Sequence, residues 1–494
     1  MSRDGADARR ASEAGESEQR AREIYREILR RTPEHDFDPT IERVARVVDV
    51  LGSPQQMFRA IHLTGTNGKT STARMIDALL RELGTRTGRF TSPHLSTVRE
   101  RIAIDGEPLT AQEWVRAWDD VAPYIEMIDA ELVASGKYGA GGELSFFEVL
   151  TAMALAAFAD APVDVAVLEV GMGGEWDSTN VVDAEVAVLT PISHDHERWL
   201  GHTLPEIAAV KSGIIKPGAT AVVGNQESEV LEVIAARCVA VGARLVVEIE
   251  TFDADADADG GVAELDAEAV LAALPDGTTP IALLSRAVAV GGQLVSMRGI
   301  GAVYEDVFLP LHGRHQAHNA LVALAAVEAF LGGVALPADV VEAAFASVSS
   351  PGRMEIVRSS PTILVDAAHN VAGVRAAIDT LEEAFAFERL VGVFGAMADK
   401  DVEGMLVELE PVLAELVVSR STSMRSMEVD DLAELAREVF GEDRVHVAER
   451  LDEALTLAVE LAESEAYGVG AGAGVVALGS VVLAAEVRTL VGRG

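Results

Sequence analysis

The sequence predicts an α/β protein in two parts, an N-terminal domain on a parallel-rich sheet and a C-terminal doubly wound domain. Three observations carry this. An apolar run, a glycine loop and a helical stretch follow one another at residues 61–83; the apolar segment at 163–170 alternates too little to have a wet face; and a second alternation of short apolar runs and helical stretches begins after the turn-rich residues 349–353. At 494 residues the chain also exceeds what one hydrophobic core serves.

Residues 1–20 mix Arg, Asp, Glu and Ser without an apolar stretch, and read as a disordered tail, not a targeting peptide. Helices are expected at 21–29 and 39–51, the second stopping at Gly52. Then IHLTGTNGKTS, 61–71, opens as a buried strand, breaks at Gly65 and Gly68, and enters a helix over 70–83 in which Ile76, Leu79, Leu80 and Leu83 share a face. Strand, glycine loop and helix N-terminus make an anion site: backbone N–H groups turn inward, the helix end adds partial positive charge, and Lys69 supplies a point charge for phosphate. The general phosphate-loop pattern is half met, because Leu63 stands where its first glycine belongs.

Residues 88–100 read as a polar loop carrying Ser92, Pro93 and His94. Helices are expected at 114–131 and 144–158, with a glycine-rich bend at 139–142. The strand at 163–170 ends on Glu169, and an acid at the carboxyl end of a parallel strand beside a phosphate loop is placed to hold a cation. The next strand, 185–190, exits through PISHDH at 191–196, and a short helix at 207–214 carries Lys211 before a strand at 219–223. Alternating Asp and Ala at 253–259 lack the glycine and closing Glu of a calcium loop, so residues 248–280 read as a solvated acidic insertion. Short strands at 287–311 lead to HGRHQAHN, 312–319, and an apolar helix at 320–330. Past the linker, strands are expected at 363–366, 390–394, 416–419, 445–447 and 475–478.

A net charge of −39 argues against nucleic acid or an anionic membrane as partner. No apolar run reaches the ~18 residues of a spanning helix, and the single Cys238 excludes a disulfide framework, so a cytoplasmic protein is expected. Lysine is scarce. Only Lys69, Lys137, Lys211, Lys216 and Lys400 occur, so each invites the question of what arginine would not do; an ammonium can lose its proton and act as a nucleophile.

The motifs HLTGTNGKTS (62–71), TSPHL (91–95), SFFE (145–148), LEVGMGGEWDSTN (168–180), KSGIIKPG (211–218), GRHQAHNALVA (313–323), PGR (351–353), VDAAHN (365–370), FGAMADKD (394–401) and LGS (478–480) together resemble the Mur ligase superfamily, and within it its folylpolyglutamate/dihydrofolate synthase branch. Thr70 stands where that branch more often has glycine.

The resemblance implies a P-loop ATPase-like domain over 21–348, a hinge at 349–353 and a Rossmann-like domain over 354–494. It also implies an ATP-dependent ligase that joins L-glutamate to a folate or dihydropteroate through an acyl phosphate. ATP would be held by Gly65, Thr66, Asn67, Gly68, Lys69, Thr70, Ser71, Gln316, Asn319, Arg353 and Asp366. Two Mg²⁺ would be held by Ser92, Glu169, His196 and Lys211, the last as a carbamate. Lys69, Lys211, Asp366 and His369 are the catalytic set, and Ser92, Pro93, His94, Phe146, Phe147, Glu148 and Ser480 face the substrates. A monomer is expected, with domain closure about the linker. Two alternatives remain: a ligase acting on a nucleotide-sugar peptide, and a non-catalytic nucleotide- or folate-binding paralogue.

Overall fold

The computed structural model describes residues 3–33, 39–137, 142–249, 272–464 and 472–493; the bend at 139–142 and the run at 253–259 lie largely or wholly outside them. Two compact units emerge, one of residues 1–285, 296–307 and 318–347, the other of 286–295, 308–317 and 348–494.

The first unit is organised by β1 (Arg59–Thr64), β2 (Thr87–Phe90), β3 (Ile102–Ile104), β4 (Glu107–Pro108), β5 (Val165–Glu169), β6 (Val186–Leu189), β7 (Thr220–Val223) and β8 (Arg244–Glu248). With β9 (Thr279–Ala289), β10 (Gly292–Arg298) and β11 (Val303–Leu309) they form one sheet, ordered β11-β10-β9-β8-β7-β6-β1-β5-β2-β3-β4. From β9 to β2 the pairs are parallel. Parallel strands need both faces covered, which is why β5 and β6 lack a polar side. On one face Ile24, Ile28, Trp114, Val121, Leu150 and Phe158 of the N-terminal helices cluster with Ala166 and Leu168, and further along the same face Ile207, Ile214, Val230 and Ile234 cluster with Ala187, Leu189, Ala221 and Val223; Ile61, Leu63, Val167, Val188 and Val222 are buried on the other.

Three expectations need correction here. Residues 3–28 form one helix and not a tail to residue 20. Side-chain pairs at helical spacing, Gln19 with Glu23 and Arg22 with Glu18, support it, and Glu18 is tied to Arg99. Residues 87–90 form strand β2 where a loop was expected. Arg89 and Thr87 look polar in sequence, yet both are buried because their side chains bond Asp77 at 2.7 and 2.6 Å. Finally, the helix at 320–330 begins at Arg314, directly after Gly313, so Gln316 and Asn319 are helical and three residues apart.

The second unit holds β12 (Glu355–Ser359), β13 (Thr362–Val365), β14 (Arg389–Phe394), β15 (Glu415–Val418), β16 (Val445–Val447) and β17 (Ala473–Leu478), ordered β12-β13-β17-β14-β15-β16. All pairs are parallel except β12 with β13. Alternate residues feed opposite faces: Leu364 and Leu478 one core, Ile363 and Val475 the other.

Candidate active site

Three parallel strand ends meet at the centre of the first sheet. Leu63 of β1 is in register with Glu169 of β5, and Thr64 with Leu189 of β6. Beyond Thr64 the chain enters the loop 65–68, and the helix Lys69–Glu82 starts at once. Gly65 and Gly68 sit at φ +147° and +87°. A Cβ would lie 1.9 Å from Thr190 Oγ1 at the first and 2.5 Å from Asn319 Oδ1 at the second. Neither position accepts a side chain.

The loop has a floor. Thr66 N donates to Pro191 O at 2.9 Å, its hydroxyl donates to Ser193 O at 3.0 Å, and Ser193 N donates back to that hydroxyl. Gln226 holds the same segment, its Nε2 donating to Thr190 O and its Oε1 accepting from Ile192 N, both at 3.0 Å. Nothing in the sequence marked Gln226 or Thr190 beyond their place after parallel strands.

Two lysines converge on the loop. Lys69 Nζ donates to Gly65 O at 3.1 Å and Thr66 O at 3.0 Å, and Lys211 Nζ donates to the same Gly65 O at 2.8 Å. Lys211 is buried on the helix Leu204–Lys211, and burial, reinforced by the charge of Lys69, brings its ammonium down to about 7. Asp195 and Asp177 pull in the opposite direction. A lysine at that value is substantially an amine near neutrality, which no arginine offers.

Beside the lysines, Glu169 is buried, and Thr70 Oγ1 donates to both its oxygens at 3.0 Å while Ser92 N donates to Oε2 at 3.2 Å. Thr70 therefore orients the carboxylate. His196 follows β6 in the left-handed region at φ +51°, its N–H donating to Asp195 Oδ1 at 2.8 Å. Below the loop, His62 is fully buried, its Nε2 2.7 Å from Thr179 Oγ1, and burial brings its imidazole down to about 3, so it is neutral scaffold.

Other expected residues turn inward. Ser145 and Glu148 form the capping box of the helix Phe146–Asp160, and Glu148 also accepts from buried Arg43 at 2.9 Å; its two oxygens are used within the protein. Arg101 Nε donates to His94 Nδ1 at 2.9 Å, so the ring proton sits on Nε2, 3.4 Å from the hydroxyl of Tyr25 on the N-terminal helix. Phe146 lies under the Arg101 guanidinium at 5.2 Å, and the Phe90 and Phe147 rings lie 5.4 Å apart.

In the second unit Asp366 ends β13, buried, its oxygens accepting from Met354 N at 2.8 Å and Ala368 N at 2.7 Å. Burial pushes its carboxyl up against the opposing pull of Arg353. His369 Nδ1 lies 2.9 Å from Ala367 O. Ser480, expected at the substrate, caps the helix Val481–Leu490 by accepting from Leu483 N at 3.1 Å.

Fold and site define a ligase of the Mur type: residues 143–327 match the Mur ligase middle domain, and 352–474 the Mur ligase glutamate ligase domain. The chain is 47% identical to the dihydrofolate synthase/folylpolyglutamate synthase of Mycobacterium tuberculosis, across 94% of its own length and 92% of that protein's, and 32% identical to the Bacillus subtilis protein of the same name, across 82% and 87%. It belongs to the dihydrofolate synthase/folylpolyglutamate synthase family, whose members are ATP-dependent amide-bond-forming ligases. The structure agrees. The M. tuberculosis folylpolyglutamate synthase complexed with ADP and AMPPCP superposes with a TM-score of 0.86 at 45% identity, covering 97% of this chain and 99% of that one; E. coli FolC in complex with DHPP and ADP gives 0.75 at 25%, covering 95% and 97%.

Proposed function

We propose that this chain couples ATP cleavage to joining L-glutamate to the carboxylate of a folate or of dihydropteroate. The observation that carries the reading is the convergence of Lys69 and Lys211 on Gly65 O beside a Glu169 carboxylate that Thr70 and Ser92 already hold.

The acceptor carboxylate attacks the γ-phosphorus of ATP and ADP leaves; glutamate's amine, having lost a proton, attacks the acyl carbon and phosphate leaves. Two anions meet in the first step, so the chain has to supply positive charge. The N–H groups of 65–71 and the helix N-terminus take the phosphates, and Lys69 exchanges its bonds to Gly65 O and Thr66 O for phosphate oxygens. Asn319 closes the loop at Gly68, and Gln316, Arg353 and Asp366 are read as further nucleotide contacts.

The donor set beside the loop suits a hard cation. Among the described residues no three His, Cys, Asp or Glu side chains gather as a metal cluster, and only two of the proposed ligands, Glu169 and His196, are of those types. Ser92 supplies a further hard oxygen, and a carbamate on Lys211 would supply more. Bound there, Mg²⁺ would neutralise phosphate charge. A buried amine near 7 is the form that adds CO₂, which supports the carbamate. His369 is read as a positioning residue for glutamate. A monomer in the cytoplasm is the simplest setting for these small substrates; no described helix is long and apolar enough to cross a membrane.

ADP release measured with Mg²⁺, ATP and glutamate, and with dihydropteroate, a reduced folate or a nucleotide-sugar peptide as acceptor, tests the reading. Turnover that needs both glutamate and a pterin acceptor is expected. Equal ADP release without any acceptor, or turnover with the nucleotide-sugar peptide alone, refutes it. Lys211→Arg is expected to lose at least ~10²-fold in turnover, and acetate to restore part of the rate of Lys211→Ala but not of Lys211→Arg; near-normal turnover of Lys211→Arg removes the carbamate.

A further inference from the structure

Among the described residues, the buried or partly buried arginines of the first unit are hydrogen-bonded or ion-paired, with one exception. Arg43 bonds Glu148, Arg89 bonds Asp77, and Arg101 bonds His94. Arg74, partly buried in the middle of the helix Lys69–Glu82, makes neither a hydrogen bond nor an ion pair with any described residue.

Its position is set by the helix. Arg74 follows Thr70 by four residues and so shares the face on which Thr70 reaches Glu169. Three acids lie within electrostatic reach, Glu169, Glu100 and Asp77, and each is engaged by other donors. Glu169 accepts from Thr70 and Ser92, Glu100 from the N–H groups of Leu95, Ser96 and Thr97, and Asp77 from Arg89, Arg81 and Thr87. The guanidinium is left with a fork of N–H donors and no protein acceptor. Arg89, the guanidinium whose charge reaches Arg74, is itself paired with Asp77 and offers Arg74 no acceptor. A cationic fork with unfilled donors, on the helix face that Thr70 turns to Glu169, is a place for an anionic group of a ligand.

We infer that Arg74 binds a carboxylate of the acceptor that does not react, the one that a glutamylated pterin carries and a pteroate lacks. The phosphates already have the loop N–H groups and Lys69, which act as point donors; a planar fork matches a carboxylate in two parallel bonds. Arg74 is thereby a specificity residue for chain extension and is dispensable for the first glutamate.

This rests on the ligase reading, and the experiment separates the two. Wild type, Arg74→Gln and Arg74→Lys are compared in steady state with dihydropteroate and with a monoglutamylated tetrahydrofolate as acceptors. Loss of a charge-assisted pair predicts a KM for the glutamylated acceptor raised ~10-fold or more in Arg74→Gln, and less in Arg74→Lys, which keeps charge but not the fork. KM values for dihydropteroate and ATP stay within about twofold, since neither ligand uses the residue. Equal losses with both acceptors, a raised KM for ATP, or no change with either overturns the assignment. If Arg74→Gln does not fold, the Lys variant carries the same comparison. Wild type that turns over neither acceptor removes the ligase reading itself, before any variant is made.

Discussion

Replacing Lys211 with methionine should stabilise the first unit while abolishing turnover. The ammonium falls from 10.5 to about 7 on folding, chiefly because burial strips its water. At 1.36 kcal/mol per unit, keeping that lysine charged in the folded state costs roughly 4–5 kcal/mol. Methionine has similar length and no charge; it loses the bond to Gly65 O, worth about 1 kcal/mol. A net gain of about 3–4 kcal/mol is expected wherever wild-type Lys211 is protonated in both states, that is, below pH 7. Between the folded and unfolded values the unfolded chain binds the extra proton, so wild-type stability rises with pH and the gap narrows by about 1.4 kcal/mol per pH unit. Above 10.5 only the lost hydrogen bond remains, and wild type is the more stable. Urea unfolding in CO₂-free buffer at about pH 6 and about pH 9 measures this. All four tryptophans, Trp114, Trp118, Trp176 and Trp199, belong to the first unit, so their fluorescence reports on it alone. A methionine variant less stable than wild type at the lower pH, or a gap that ignores pH, refutes the argument.

Three further outcomes are expected. Gly68→Ala puts a methyl at φ +87°, 2.5 Å from Asn319 Oδ1, which should cost about 1–3 kcal/mol and weaken ADP binding at least tenfold by calorimetry; unchanged affinity would show that the loop tolerates the methyl. Arg43→Ala leaves Glu148 buried without its cation, for a loss of about 3–5 kcal/mol in chemical unfolding, and adding Glu148→Gln should recover part of it; a loss below about 1 kcal/mol would mean the pair is solvated. Deleting residues 253–259 should leave turnover within a few-fold, since alternating Asp and Ala bury no face; complete loss with an intact fold would contradict this.

The parts of the fold that were legible are those in which local pattern and burial agree. β6, and β5 up to its terminal Glu169, are apolar because parallel pairing covers both faces, and Gly65 and Gly68 announced the loop because no other residue fits against Thr190 and Asn319. β2 was hidden by its chemistry: Arg89 and Thr87 are polar residues made tolerable in the interior by Asp77, a partner ten or more positions earlier in sequence. The first part of the N-terminal helix, residues 3–20, was hidden by its composition, since charged residues with good helix propensity resemble a solvated tail; the expected stretch at 21–29 is the part that packs Ile24 and Ile28. For the site, ligating residue types were visible, but the use to which Glu148 and Ser480 are put was not. A capping serine and a substrate-binding serine look alike in one dimension.

Gln226 carries a consequence for how this chain tolerates change. Its amide is asymmetric and both ends are committed: the nitrogen faces the Thr190 carbonyl, the oxygen the Ile192 N–H. An exchange to Glu keeps every atom's place and volume but turns the donor into a second acceptor, setting a negative oxygen against a carbonyl directly under the phosphate loop. Alanine, which looks the harsher replacement, leaves two backbone groups for water and no repulsion. Similarity of shape and tolerance of substitution run in opposite directions at this position, and a scale that scores Gln and Glu as near neighbours would misjudge which variants survive.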